Sequence, residues 1–125
     1  MITKTGVLSG MSTDDLAATA AFYRDTLGFE VEQTPNGLSV RSGEQRFFIY
    51  PKPNHHPATY TAVYIEVPDI DAAVDELAAA GVELERYEGL NQDEKGVSRG
   101  LATGDGPDIA WFTDPAGNIL AVLHG

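Results

Sequence analysis

Apolar residues at Leu16, Ala20, Tyr23 and Leu27 recur at i, i+4, i+7 and i+11, the spacing of one helix face. Asp14 or Asp15 stands where a helix start needs a cap, and Gly28 suits the left-handed position past its end. Beyond Gly28 the period becomes two. Phe29 and Val31 alternate with Glu30 and Glu32, which predicts a half-buried strand. The same change of period occurs again further on. Ile70, Val74 and Leu77 lead to Gly81, with Asp69 as the cap after Pro68, and Val82 and Leu84 then alternate with Glu83 and Glu85. Gly28 to Gly81 is 53 residues and Asp15 to Asp69 is 54, so the chain reads as two copies of one unit.

The patterning predicts a strand over 5–12, a helix over 14–27, and strands over 28–34, 37–42 and 45–51. The second copy gives a strand over 60–67, a helix over 69–80, and strands over 82–88, 108–113 and 118–124. Each copy is β-α-β-β-β: module one is 1–52, a linker covers 53–59 within the stretch around PKPNHHP, and module two is 60–125. One helix cannot cover both faces of a four-stranded sheet. The expected fold is therefore α+β, with two βαβββ modules forming a cupped mixed sheet whose concave face is left for a ligand. The last two strands form a hairpin, WFTDPAGNILAVL, in which Pro115 presets one backbone angle and Gly117 and Asn118 tolerate positive φ. Residues 89–107 are too long for an ordinary connection and too polar for a core element, and are expected to form a lid or binding loop.

Composition narrows the function. The formal charge of −11 argues against nucleic acid, whose binders cluster Lys and Arg, and is compatible with a cationic ligand as well as with simple solubility. There is no cysteine, hence no disulfide framework, thiolate metal site or thiol nucleophile. No apolar run approaches a membrane span, and MITKTG lacks the apolar core of a signal peptide, so a cytoplasmic protein is expected.

Three stretches, DDLAATAAFYRDTLGFEVE, VYIEVPDIDAAVDELAAAGVELE and AWFTDPAGNILAVL, together resemble the vicinal oxygen chelate superfamily of glyoxalases, extradiol dioxygenases, and fosfomycin- and bleomycin-resistance proteins. The resemblance covers nearly the whole chain. It implies paired modules around a cup, commonly within a homodimer. In the metal-dependent members it also implies an ion held by His, Gln or Glu from four strands, acting as a Lewis acid on substrate oxygens. Carried over from Asp15-Leu16, Val67-Pro68-Asp69 and DPAGN, those four positions are Leu8, Phe48, Ala62 and Ala121. None offers a side-chain lone pair. Neither a metal nor another cofactor is expected.

Strand alternation predicts what shares that face instead. It gathers Leu8, Gly10 and Ser12; Arg46, Phe48 and Tyr50; Ala62, Tyr64 and Glu66; Ile109, Trp111 and Thr113; and Ile119, Ala121 and Leu123. The opposite set, including Phe47, Ile49, Ala110, Phe112, Leu120 and Val122, suits packing under the helices. The candidate ligand-binding residues are Arg46, Phe48, Tyr50, Tyr64, Glu66 and Trp111: aromatics to stack on a planar or cationic compound, Glu66 to pair with a cation, Arg46 with an anion. These aromatics could instead pack against the partner module or subunit. The expected function is metal-free binding of a small aromatic or cationic molecule, without turnover, in a bleomycin-resistance-like protein. Two alternatives stay open. One is a glyoxalase-like metal-dependent lyase, isomerase or dioxygenase with displaced ligands such as His55, His56 or Glu66. The other is metal-independent acid–base catalysis by a Glu66 buried among aromatics, or by a tyrosine. His55-His56 otherwise reads as solvated linker, His124 as a chain-end residue, and Glu94, Lys95 and Arg99 as charges that either close over a ligand or stay in solvent.

Overall fold

The computed structural model describes residues 1–125, which divide into two compact units, Met1–Pro57 and Ala58–Gly125. In the first, β1 (Ser9–Thr13) leads to α1 (Leu16–Ala21), which runs on into a π-helical turn (Phe22–Thr26); β2 (Glu30–Thr34), β3 (Gly37–Ser42) and β4 (Gln45–Pro51) follow. The sheet order is β1-β4-β3-β2, with β1 parallel to β4 and the other pairs antiparallel. The second unit contains β5 (Thr61–Glu66), α2 (Ile70–Ala79), β6 (Ser98–Arg99), α3 (Gly100–Thr103), β7 (Asp108–Thr113) and β8 (Ile119–His124). Its order is β5-β8-β7-β6, with β5 parallel to β8. The two mixed sheets repeat one topology, so the duplication read from the periods is a duplication of fold.

Each helix starts on its expected aspartate. Asp15 accepts a bond from the Ala18 amide, and Asp69 accepts from Asp71 and Ala72. The first helix is not uniform, however. Its last turn widens, with the Leu27 amide bonding the Phe22 carbonyl, and the fully buried Tyr23 packs near-edge-on against Phe22 and Phe47. Phe29 closes the cluster against Phe47. In the second unit Ile70, Val74 and Leu77 of α2 are buried over the sheet face carrying Ala110, Phe112, Leu120 and Val122. Each large side chain there contributes about 1.5–3 kcal/mol.

Two turns set the strand registers. Between β2 and β3, Gly37 has φ +146, and a Cβ there would lie 2.3 Å from the Ile49 carbonyl oxygen, so only glycine lets β3 approach β4 this closely. Between β7 and β8, the buried Asp114 carboxylate accepts from the amides of Ala116 and Asn118 and from the Asn118 side chain, at 2.9–3.0 Å.

Three expectations need correction. The first strand begins at Ser9 rather than residue 5, leaving Val7 and Leu8 exposed. Residues 82–88 form no strand; their one ladder contact is the bridge between Glu85 and Trp111. The Gln92 side chain stands in for a neighbouring strand, accepting from the Tyr87 amide at 2.7 Å and donating to the Glu85 and Gly96 carbonyls at 2.8 Å. Nor is 89–107 a free lid. It supplies the fourth strand, β6, and buries Val97 completely.

That segment is fastened by charge. Asp93 accepts from the Lys95 and Val97 amides and from the Arg99 guanidinium, each at 2.9 Å. Arg99 forks onto both Asp71 oxygens at 2.8 and 3.0 Å, and Lys95 reaches Asp71 and Asp75. Bonds from Arg99 and then Lys95 hold the Asp71 carboxyl well below the usual carboxylate range. Burial alone would push Asp93 up, but the Val97 amide, Arg99 and the Lys95 amide outweigh it and hold it low as well. Lys95 and Arg99 therefore serve the fold rather than a closing lid.

Candidate functional site

Each sheet carries its helix on one face and leaves the other open. In the first unit Phe47 and Ile49 point into the core, so Arg46, Phe48 and Tyr50 stand on the open face with Gly10 and Ser12, the register partners of Phe48 and Tyr50 in β1. Tyr50 is 43% exposed. The neighbouring β3 adds Arg41, whose guanidinium pairs with Glu30 of β2. His55 is not simply solvated linker. Its Nδ1 lies 2.6 Å from Ser12 Oγ, beside Tyr50, and the linker's start is held to β1 by the Lys52 amide on the Thr13 carbonyl.

In the second unit the register places Tyr64, Ala121 and Trp111 side by side across β5, β8 and β7, and Glu66, Leu123 and Ile109 in the next such row. Ala121 has no exposed surface although it lies on the open face, because larger neighbours flank it; Tyr64 itself is 56% exposed. The Trp111 indole N–H donates to Thr61 Oγ1 at 3.1 Å, and Tyr87 packs edge-on against the indole with centroids 5.7 Å apart. Burial, and then the nearby Glu85 charge, raise the Tyr87 hydroxyl above its ordinary value.

Thr61 and Tyr87 belong to this cluster but were not among the sequence candidates. Alternation through β5 predicts Ala62 on the open face, yet Thr61 pairs with Ile119 and Val63 with Leu120, so a bulge absorbs Ala62 and brings Thr61 onto that face. A bulge leaves no trace in the apolar pattern. Tyr87 was visible as the next member of the alternation after Glu83 and Glu85, but its place beside Trp111 depends on the Gln92 bonds.

Beyond the Leu123 row lies an open groove of about 580 Å³, walled by Leu101 and Pro107, with Glu66 at its side. A Cβ on Gly100 would fall 2.5 Å from the Pro107 carbonyl oxygen, so glycine is what lets α3 close against this wall. In the first unit, a recess of about 570 Å³ lies between residues 5–8 and the end of the β3–β4 hairpin, with Arg46 on its rim.

The residues at the four family metal positions do not fit an ion. Leu8 is a half-exposed apolar side chain ahead of β1, and Phe48 offers only a ring. The bulge offers Ala62 or the neutral hydroxyl of Thr61, which the indole already engages. Ala121 is sealed. Nowhere do three His, Asp or Glu side chains gather as a metal site requires.

The family model of the glyoxalase/bleomycin resistance protein/dioxygenase superfamily matches residues 7–122. Solved structures of the same fold include a glyoxalase family protein from Enterococcus faecalis, 22% identical over 98% of this chain and 99% of that one, with a TM-score of 0.69. An antibiotic-binding protein from a Streptomyces species is 18% identical over 98% of both chains, with a TM-score of 0.66. A fosfomycin resistance protein from Listeria monocytogenes is 16% identical over 100% of this chain and 95% of that one, with a TM-score of 0.68. No curated protein matches the chain. With the duplicated topology and a match over nearly its whole length, the chain belongs to the glyoxalase/bleomycin resistance protein/dioxygenase superfamily.

Proposed function

We propose that this protein binds a small aromatic or cationic molecule on the open face of its second sheet, without a metal ion and without turning it over. The observation that carries this reading is Ala121, sealed between Tyr64 and Trp111, at the position to which the family resemblance assigns a metal-binding glutamate. Around it the face is an aromatic wall of Tyr64, Trp111 and Tyr87, with the Thr61 hydroxyl and the Glu66 carboxylate among its polar groups. Apolar walls with sparse polar groups are the usual make-up of a ligand site. Phe48 and Tyr50, with Arg46, give the first sheet an open face of similar character. An antibiotic-binding protein among the structural neighbours lends the reading support by analogy of fold.

The acidic charge of −11 makes nucleic acid an unsuitable partner, and no helix is long and apolar enough to cross a membrane. We place the protein in the cytoplasm as a homodimer; the exposed Val7, Leu8 and Tyr60 are apolar surface that a second copy would cover. Neither catalytic alternative gains an observation. Glu66 stands in solvent rather than buried among the aromatics, and His55 is engaged with Ser12. The test is a titration with planar aromatic compounds followed by Trp111 fluorescence, alongside metal analysis of the purified protein. Saturable quenching by protein free of metal is expected. A stoichiometric, tightly held ion would overturn the metal-free reading.

A further inference from the structure

We infer that the ligand is an arylalkylammonium: its cationic head at Glu66, on the side of the Leu101–Pro107 groove, its alkyl arm over Leu123, and its ring on Tyr64 and Trp111. This rests on the aromatic face proposed above and adds the chemical class it selects. Glu66 makes no side-chain hydrogen bond or ion pair. Every cation of its own unit is engaged elsewhere: Arg86 with the carbonyls of Asp93 and Glu94, Lys95 with Asp71 and Asp75, and Arg99 with Asp71 and Asp93. The unit therefore offers an uncompensated carboxylate at the side of a groove of about 580 Å³, a size that suits a small organic ligand.

The groove wall is built. Gly100 lets α3 lie against the Pro107 backbone, the Asp105 amide bonds the Gly100 carbonyl, and Asp108 Oδ1 accepts from the Leu101 amide at 3.1 Å. Leu101 is held in this way with 49% of its surface exposed. Gly104 and Gly106 contribute no side chains to fill the space. Tyr64 and Glu66 are two residues apart on one strand face, hence about 7 Å from each other. An arm of a few methylenes spans that distance between ring and ammonium. A neutral ligand would leave the carboxylate unmatched, and an anionic one would be repelled by it.

The experiment compares phenylpropylammonium with neutral phenylpropanol on the wild-type protein and on Glu66→Gln. Trp111 fluorescence reports the ring, the methyl resonances of Leu123 report the arm, and those of Leu101 report the groove beside the cationic head. The expected result is that the wild type prefers the ammonium about fivefold, that added salt erodes this preference, and that Glu66→Gln abolishes it while still binding the alcohol. Equal affinity for both compounds in the wild type, or a preference that survives Glu66→Gln, overturns the inference and leaves the aromatic face standing. If neither compound perturbs Trp111, the aromatic face falls, and this inference with it.

Discussion

The Trp111 indole donates to Thr61 Oγ1 across 50 residues of sequence, from one side of β8 to the other, and Ala121 lies between Trp111 and Tyr64. The bond fixes the indole plane over the open face. Because Thr61 reaches that face only through the bulge at Ala62, a local irregularity of β5 orients the central side chain of the proposed site.

Replacing Thr61 by Val keeps the shape and removes the acceptor. The half-buried indole N–H then loses its partner, at a cost of about 1 kcal/mol in urea denaturation. Ligand affinity should fall by more than the stability change alone implies, with a shift in Trp111 emission in the free protein. Unchanged emission and affinity would show that the bond does not orient the ring.

Ala121→Glu supplies the metal-binding glutamate that the family resemblance assigns to this position. Here it must enter a sealed position between Tyr64 and Trp111, so crowding and an uncompensated charge should destabilise the second unit by at least about 3 kcal/mol. No divalent ion should rescue it, since the other three positions lack donors. Recovery of stability on adding Zn, Ni or Mn would contradict this account.

The Asp114 turn makes a cleaner stability test. The residue is 5% exposed, and its carboxylate holds two amides and the Asn118 carboxamide. Asp114→Ala strands those donors and should lower stability by about 3 kcal/mol by thermal or denaturant unfolding. A loss under about 1 kcal/mol would mean the turn is held by its backbone alone.

Acid should release the 89–107 segment. Asp71 and Asp93 have folded-state values held below the ordinary carboxylate value, so the stability they contribute is complete above about pH 4. It is lost as the pH falls through their lower folded values. The Val97 methyl resonances should therefore move towards unfolded positions at acid pH, and Arg99→Gln should shift that change to higher pH. An acid transition at Val97 that falls at the same pH in the wild type and in Arg99→Gln would contradict the assignment.

What could be read from the chain, and what could not, divides along physical lines. The alternation of Phe47 and Ile49 with Phe48 and Tyr50 announced both faces of β4, because a buried face demands apolar side chains at a period of two. The aspartate caps were legible for a similar local reason. The bulge at Ala62 was not, since one inserted residue leaves composition and pattern intact. Nor was the loss of the 82–88 strand, where a single side chain, Gln92, takes the hydrogen bonds a neighbouring strand would have made. The ionic anchoring of 89–107 joins residues up to 28 positions apart, beyond any local pattern. The exposed position of Glu66 likewise depends on register and not on its neighbours in sequence.

Binding at the Trp111 face without a metal is tested most directly by one titration. The protein is dialysed against a chelator, and a planar aromatic cation is added while Trp111 fluorescence is followed. The account predicts saturable quenching with the same midpoint before and after chelation. Absence of quenching, or quenching that returns only when a divalent metal is restored, would contradict it.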